Sequence, residues 1–434
     1  MKHLFFGGIH PKYNKEMSTG ITEFRTITPA RVVIPMQQHI GAPCKPLVKV
    51  GDKVLLGQKI GDGEGLCVPI HSSVSGIVTA VEMRPHTSGR DVLAVVIDND
   101  FKDTAVKATV RSLDEMSHDD ILFAIRESGI VGMGGAAFPG NVKALSAMGN
   151  VDTLIANACE CEPYITADDS LLRTSPEQVL QGMCLLHRVL HPKRMVLAVE
   201  DNKKEAIEKV RGLLSQYSEI ELSVLPTRYP QGAEKQLIQA LTGRQVPPGK
   251  LPVSVNCAVF NVSTFAAIYR AVCLGTPLTQ RIVTVSGEAV EKPQNFIVRI
   301  GTSFEELIKE AGGLNESTER VISGGPMMGI AQHDLSVPVI KATNSILCLL
   351  KDKNGAAENP VCIRCGKCVE VCPMKLQPLY MYRFEKAGDI KALDRLHVLD
   401  CIECGSCAFT CPGKLPLVET FRKGKKELKE ANAK

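Results

Sequence analysis

Eight of the 16 cysteines stand in two short runs near the C-terminus. The first is Cys362-Ile-Arg-Cys365-Gly-Lys-Cys368-Val-Glu-Val-Cys372-Pro, and the second is Cys401-Ile-Glu-Cys404-Gly-Ser-Cys407-Ala-Phe-Thr-Cys411-Pro. Each reads C-x2-C-x2-C-x3-C-P, a spacing that places three thiolates on one tight loop at three corners of a 4Fe–4S cubane. Gly366 and Gly405 let the backbone approach the inorganic sulfides, whose charge N–H groups stabilise. In the two-cluster arrangement the fourth cysteine of each run serves the other cluster. One cluster is therefore expected on Cys362, Cys365, Cys368 and Cys411, and the other on Cys401, Cys404, Cys407 and Cys372. Structural zinc sites use paired C-x2-C knuckles instead, which neither run reproduces. Two one-electron carriers side by side mean electron transfer, without saying what donates or accepts.

A second chemical signal is the glycine-rich stretch Gly129-Ile-Val-Gly132-Met-Gly134-Gly135-Ala-Ala-Phe138-Pro139. A dinucleotide fingerprint has a strand before its glycines, whereas the pattern here puts a helix there, so an ordinary Rossmann loop is disfavoured. The small residues of 132–137 still allow main-chain N–H groups to approach a phosphate or a flat ring. A plain glycine-rich connector is the competing reading. Downstream, Asn157-Ala-Cys159-Glu160-Cys161-Glu162-Pro163 follows an apolar run that reads as a sheet strand. Ligand sites of α/β sheets lie at such carboxyl ends, where an amide and two acids can orient hydroxyls and amides. Cys159 and Cys161 lack a second pair and read as pocket-lining thiols. Cys44, Cys67, Cys184, Cys257, Cys273 and Cys348 read as isolated buried thiols, and His10, His39 and His71 as structural residues without a metal-ligand grouping.

The elements that must position these groups fall into five stretches. Residues 1–110 hold many short strands broken by Gly and Pro, such as 48–54, 57–61, 71–78 and 92–97, which predict a small β-domain. Its V-x-V-G-D-x-V…G-Q-x-I…V-S-G-x-V pattern resembles the lipoyl/biotinyl-carrier β-sandwich, without an evident prosthetic-group lysine. Residues 111–250 switch to α/β: a capping box at Ser117–Asp120 opens a helix over 121–128, strands are expected at 152–156, 194–199 and 220–225, and helices at 202–216 and 233–241. Residues 251–345 carry a hairpin, 281–286 with 295–300, and a helix over 304–311 capped from Thr302, which suggests a β-grasp module. The two-cluster unit covers 346–421, and 422–434 reads as a frayed basic tail.

Composition bounds the rest. The chain has 434 residues, 44% hydrophobic and 23% charged, so most of it folds into cores. A net charge of +4, no Trp and 7 Tyr argue against a nucleic-acid partner. No window reaches the roughly 18 apolar residues of a membrane span, and the N-terminus has no signal-peptide core. A cytosolic setting is expected, in which clustered cysteines bind metal rather than form disulfides.

The glycine loop and the N-A-x-E-x-E-P stretch resemble the flavin-carrying subunit of respiratory complex I. The chain as a whole resembles the RnfC family, a component of the membrane-bound Rnf ferredoxin:NAD oxidoreductases. Phe6-Gly-Gly-Ile-His-Pro11, Ile34-Pro-Met-Gln-Gln-His-Ile-Gly-Ala-Pro43, G-x-G-G-A-A-F-P, Ser323-Gly-Gly-Pro-Met-Met-Gly329 and both cysteine runs carry that resemblance. It implies a multidomain α/β and α+β fold: a carrier-like β-sandwich, a Rossmann-like FMN/NADH domain, a β-grasp (SLBB) module and a two-cluster ferredoxin-like domain. It implies FMN contacts from Gly132, Gly134, Gly135, Lys143, Asn157, Asn261 and Thr264. NAD(H) would meet Phe138, Glu160 and Glu162, and, on a looser motif match, Gly232 and Glu234. Flavin is then the link between two-electron nicotinamide and one-electron clusters, and Lys143 would stabilise negative charge on it. The implied partners are the other Rnf subunits, integral membrane ones included, with ferredoxin reached indirectly. The implied place is the cytoplasmic face of the cell membrane, docked peripherally through the β-domain or the cluster unit. Two other readings are a cobalamin reductase of bacterial microcompartments, in which the carrier-like domain lies elsewhere in the chain, and an electron relay without nucleotide binding.

Overall fold

The computed structural model describes residues 4–20, 24–108, 115–351 and 360–432. The β-domain consists of two small antiparallel sheets. One runs in the order Arg31–Pro35, Asp91–Asn99, Gly76–Pro85, Lys53–Val54, and the other Lys45–Pro46, Lys59–Asp62, Ile70–His71. Alternation along the strands aims Val32, Ile34, Val78, Val95 and Ile97 into a shared core, which is why strand signals recur at short intervals in this stretch.

The central unit is a four-stranded parallel sheet in the order Ile220–Leu225, Arg194–Glu200, Thr153–Ala158, Cys257–Asn261. Its inner strands are continuous apolar runs because helices cover both faces. On one face Pro176–Leu190 packs against Val262–Leu274, and Gly182 makes the close approach possible: a Cβ there would meet the backbone of Phe265. The expected strands at 152–156, 194–199 and 220–225 all form, and the helix from Ser117 opens on the expected capping box. A boundary at residue 250 divides this sheet, however. Cys257–Asn261 pairs in parallel with Thr153–Ala158, so the strand and its following helix belong to the α/β unit.

The third unit is a six-stranded sheet in the order Arg25–Ile27, Gln294–Arg299, Gln280–Ser286, Ser345–Leu350, Thr318–Ser323, Ile330–Gln332. Gln280–Ser286 and Gln294–Arg299 form the anticipated antiparallel hairpin. Helix Phe304–Glu310 follows, capped one residue later than expected, with the Ser303 hydroxyl accepting from Glu306 N–H. The first strand of this sheet comes from the N-terminal stretch, so that stretch is shared between units. The C-terminus is not a frayed tail over its described length: Leu417–Asn432 is one amphipathic helix burying Leu417, Phe421 and Leu428.

Candidate functional site

The parallel sheet reverses its strand order between Thr153–Ala158 and Cys257–Asn261, and a crevice opens at the carboxyl ends of such a pair. Asn157 and Asn261 are register partners there. The Asn157 amide donates to Gly232 O at 2.9 Å, and its carbonyl accepts from Cys159 N at 3.0 Å. Asn261 caps helix Val262–Leu274, accepting from Ser263 N at 2.8 Å, and donates to Asp168 Oδ2 at 2.6 Å. Burial, then the nearby Glu160 carboxylate, push Asp168 up to about 6.

The glycine loop lies across this crevice. Helix His118–Glu127 precedes it and Gly140–Ala147 follows it, so it is not a strand-to-helix dinucleotide loop. Met133 N donates to Thr264 Oγ1 at 2.9 Å, and Gly132 N to Phe138 O at 2.8 Å, which fixes both ends. Between them Gly134, Gly135 and Ala136 are exposed. Gly135 has φ +125°, a conformation that L side chains rarely adopt, and open space where a Cβ would be. The loop thus presents unobstructed main chain, the surface that a flavin phosphate or ring would need. Lys143, on the helix after the loop, is paired with Glu234 at 2.8 Å and lies 5.2 Å from the centroid of the Phe260 ring. One residue expected at FMN and one expected at NAD(H) therefore neutralise each other here.

Glu160 and Glu162 diverge. Glu160 is buried, accepts from Asp168 N at 2.9 Å and pairs with Lys203 at 3.5 Å, so its carboxylate is tied into the interior. Glu162 accepts from Met327 N at 3.1 Å, and burial pushes it up to about 7. Met327 belongs to the Ser323–Gly329 stretch, which closes on the acid: a Cβ on Gly325 would collide with the Glu162 carboxylate. The motif and the acid are each visible in the sequence, but their contact is not.

Sequence reasoning also missed Lys15. Its buried ammonium donates to the carbonyls of Glu160, Glu162 and Ile165 at 2.7, 2.8 and 2.6 Å. It holds the acidic turn in place from some 145 residues away. A lysine beside the N-terminus gives no local signal of such a role. Because Lys15 and the strand Arg25–Ile27 serve other units, removing residues 1–110 would damage the pocket, so that truncation does not isolate a docking function.

The two cysteine runs adopt the same backbone. Arg364 and Glu403 have φ +58° and +56°, Gly366 and Gly405 +79° and +77°, and Lys375 and Lys414 +55° and +51°. Each run leads into a four-residue helix, Lys367–Glu370 and Ser406–Phe409. Cys372, Cys401, Cys404 and Cys407 line one apolar cleft of about 370 Å³ together with Met381 and Phe421. Burial, then the neighbouring thiols Cys404 and Cys372, push the Cys401 and Cys407 thiols up, a cost that a cluster removes by taking thiolates as ligands. Leu376 N and Glu403 N point at Cys372 Sγ and Cys401 Sγ, both at 3.4 Å. Burial, then the nearby Cys411 and Cys365, push the Cys368 thiol up, and Gly413 packs on the carbonyl of Val361 beside Cys362. The set of Cys372, Cys401, Cys404 and Cys407 thus shares one cleft, and of the other set Cys365 and Cys411 lie near Cys368; four thiols so grouped have the chemistry a cubane takes. Lys425 of the C-terminal helix donates to Cys401 O at 2.8 Å and Glu403 at 2.6 Å.

Cys404 joins this lobe to the crevice: Tyr229 OH donates to Cys404 O at 2.7 Å and stands 3.4 Å from Glu162 Oε1. Ile9, Cys161 and Met327 pack around the same point.

Family comparison divides the chain in the same order. Residues 3–102 match the RnfC barrel sandwich hybrid domain, 125–270 the Nuo51 FMN-binding domain, 282–331 the SLBB domain and 356–420 the 4Fe–4S dicluster domain. The fold and site thus define a flavin-binding and iron–sulfur protein. The C-subunit of the Na(+)-translocating ferredoxin:NAD(+) oxidoreductase complex of Acetobacterium woodii is 44% identical over 99% of this chain and 98% of its own length. The C-subunit of the ion-translocating oxidoreductase complex of Salmonella arizonae is 43% identical over 98% of this chain, which spans only 64% of that longer protein. An NAD+-reducing NiFe-hydrogenase in the air-oxidized state shares the fold at 19% identity and TM-score 0.50, over 75% of this chain and 68% of that one. The chain belongs to the RnfC family, the C-subunits of ion-translocating oxidoreductase complexes. Among the described residues no helix is long and apolar enough to cross a membrane.

Proposed function

We propose that this chain is the NAD(H)-binding electron-transfer subunit of an ion-translocating ferredoxin:NAD oxidoreductase complex. In this reading it docks on the cytoplasmic side of integral membrane subunits, with ferredoxin served through other subunits. The observation that carries the reading is the contact of the crevice with the cysteine lobe through Tyr229, Glu162 and Cys404. FMN would be held by the main chain of Gly132, Gly134 and Gly135, by Asn157, Asn261 and Thr264, and by Lys143 once released from Glu234. Bound flavin supplies the exchange between two-electron and one-electron chemistry. A nicotinamide would lie against Phe138 and Glu162, and Lys15 sets the position of the acidic turn through the Glu160 and Glu162 carbonyls. No acid/base pair is required, because the pocket works by holding two rings in register.

The test is anaerobic titration of the reconstituted chain, carrying FMN and both clusters, with NADH. Bleaching of the flavin band followed by reduction of the clusters is expected. Flavin that binds but resists NADH would reject nicotinamide binding and leave an electron relay.

A further inference from the structure

His39, Cys44 and Cys67 look unconnected in sequence, but the fold brings them together in the β-domain. Their ligand atoms lie within 4.8 Å of one another. Cys44 Sγ is 3.3 Å from Cys67 Sγ, and His39 Nε2 is 3.8 and 3.7 Å from the two sulfurs. All three residues are at most 5% exposed. Around a tetrahedral zinc, with Zn–S near 2.3 Å and Zn–N near 2.0–2.1 Å, two sulfurs stand about 3.8 Å apart and nitrogen and sulfur about 3.6 Å. The observed separations fall within about half an ångström of that geometry.

The surroundings select the same chemistry. His39 Nδ1 is 3.2 Å from Ile40 O, which holds its proton and leaves the Nε2 lone pair toward the sulfurs, the usual second-shell arrangement of a ligating histidine. The other polar contacts come from one residue: Val68 N approaches Nε2 at 3.4 Å, and Val68 O stands 3.3 and 3.9 Å from the two sulfurs. The sulfurs are too far apart to be bonded to each other, since a disulfide needs about 2.05 Å. The buried Lys341, donating to Pro69 O and Gly129 O at 2.7 Å each, stands beside both sulfurs.

We propose that His39, Cys44 and Cys67 form a structural site for a soft d10 cation, zinc in the first instance. The ion fastens the loop carrying His39 and Cys44 to the segment carrying Cys67. That loop supports the glycine loop from outside, since Ile40 N donates to Ala137 O at 3.2 Å. The site is separate from both cysteine runs and does not depend on the flavin reading.

The test is metal analysis of the purified chain with its clusters in place, together with absorption fine structure at the zinc edge, where iron does not interfere. About one zinc per chain is expected, with two sulfur neighbours near 2.3 Å and one nitrogen near 2.0–2.1 Å. Cys44→Ala and Cys67→Ala each reduce the zinc to near zero while leaving iron unchanged. Should either variant fail to fold, the zinc-edge spectrum of the unaltered chain decides alone. A chain that neither holds nor takes up zinc or monovalent copper overturns the proposal. So does an all-sulfur zinc shell, which would be ion misplaced into the cluster cysteines, or an intact mass showing a disulfide.

Discussion

Replacing Lys15 by Met tests whether a residue at the start of the chain builds the pocket. The side chains are similar in length, but the thioether donates no hydrogen bond. Three carbonyls, of Glu160, Glu162 and Ile165, lose their donor. Each buried acceptor left unpaired costs about 1–3 kcal/mol, so about 3–9 in all. Against this, burial lowers Lys15 from 10.5 to about 8, so its charge is itself costly. That shift is worth about 3 kcal/mol at neutral pH, which Met recovers. The net loss is about 0–6 kcal/mol with a central value of about 3, which is a fall of about 6–12 °C in the melting of a unit this size. The assay is flavin release on heating, because a multidomain chain has no single unfolding midpoint. The pH dependence adds a second signature. A base whose folded pKa is depressed contributes stability that is present above its unfolded value and lost as pH falls through the folded one. The unaltered chain therefore gains stability between about pH 8 and 10.5, and Lys15→Met does not. A melting shift under about 2 °C, with the alkaline gain intact, would refute the reasoning.

Three further outcomes are expected. Glu162 has a raised folded pKa, so it contributes stability below about 4.5 that is lost as pH rises through about 7; Glu162→Gln removes that loss, of the order of 3 kcal/mol, in melts across this window. Cys372→Ser abolishes the cluster of Cys401, Cys404 and Cys407 and spares that of its own run; iron falls by half, and the surviving electron-spin signal is the one lost in Cys411→Ser. Gly135→Ala meets no steric obstacle but must adopt φ +125°, so it costs about 1–2 kcal/mol and weakens FMN binding about tenfold by flavin fluorescence.

What was legible in the sequence was whatever is local. The cysteine spacing assigned the two interleaved sets, and one of them lines a common cleft. Glycines, caps and apolar runs marked the strands of the parallel sheet, because a strand buried on both faces is a continuous hydrophobic run. What was not legible is long-range. Cys257–Asn261 looks like the opening of the next unit until its pairing with Thr153–Ala158 is seen. The stretch 422–432 is rich in charge and reads as a tail, yet buries one face at heptad-like intervals and ties Lys425 to the second cysteine run. Lys15 and the triad of His39, Cys44 and Cys67 depend on contacts that no window spans.

The same geometry orders the two proposed clusters. Cys404 lies against Tyr229, Cys161 and Met327 and is 7% exposed, so its cleft adjoins the crevice. Cys365 of the other set is exposed, close to Val361 and Ile363, each 66% exposed. One carrier site therefore faces the nucleotide pocket and the other faces outward. In the expected interleaving, Cys372 and Cys411 cross between the runs and would tie the inner and outer sites together. The C-terminal helix reinforces the inner side, with Lys425 placing positive charge beside Cys401. A cation there stabilises added negative charge, so neutralising Lys425 lowers the potential of the inner site and leaves the outer one unchanged. An equal shift at both sites in a Lys425→Met variant would mean that the lobe does not distinguish them in the way the contacts require.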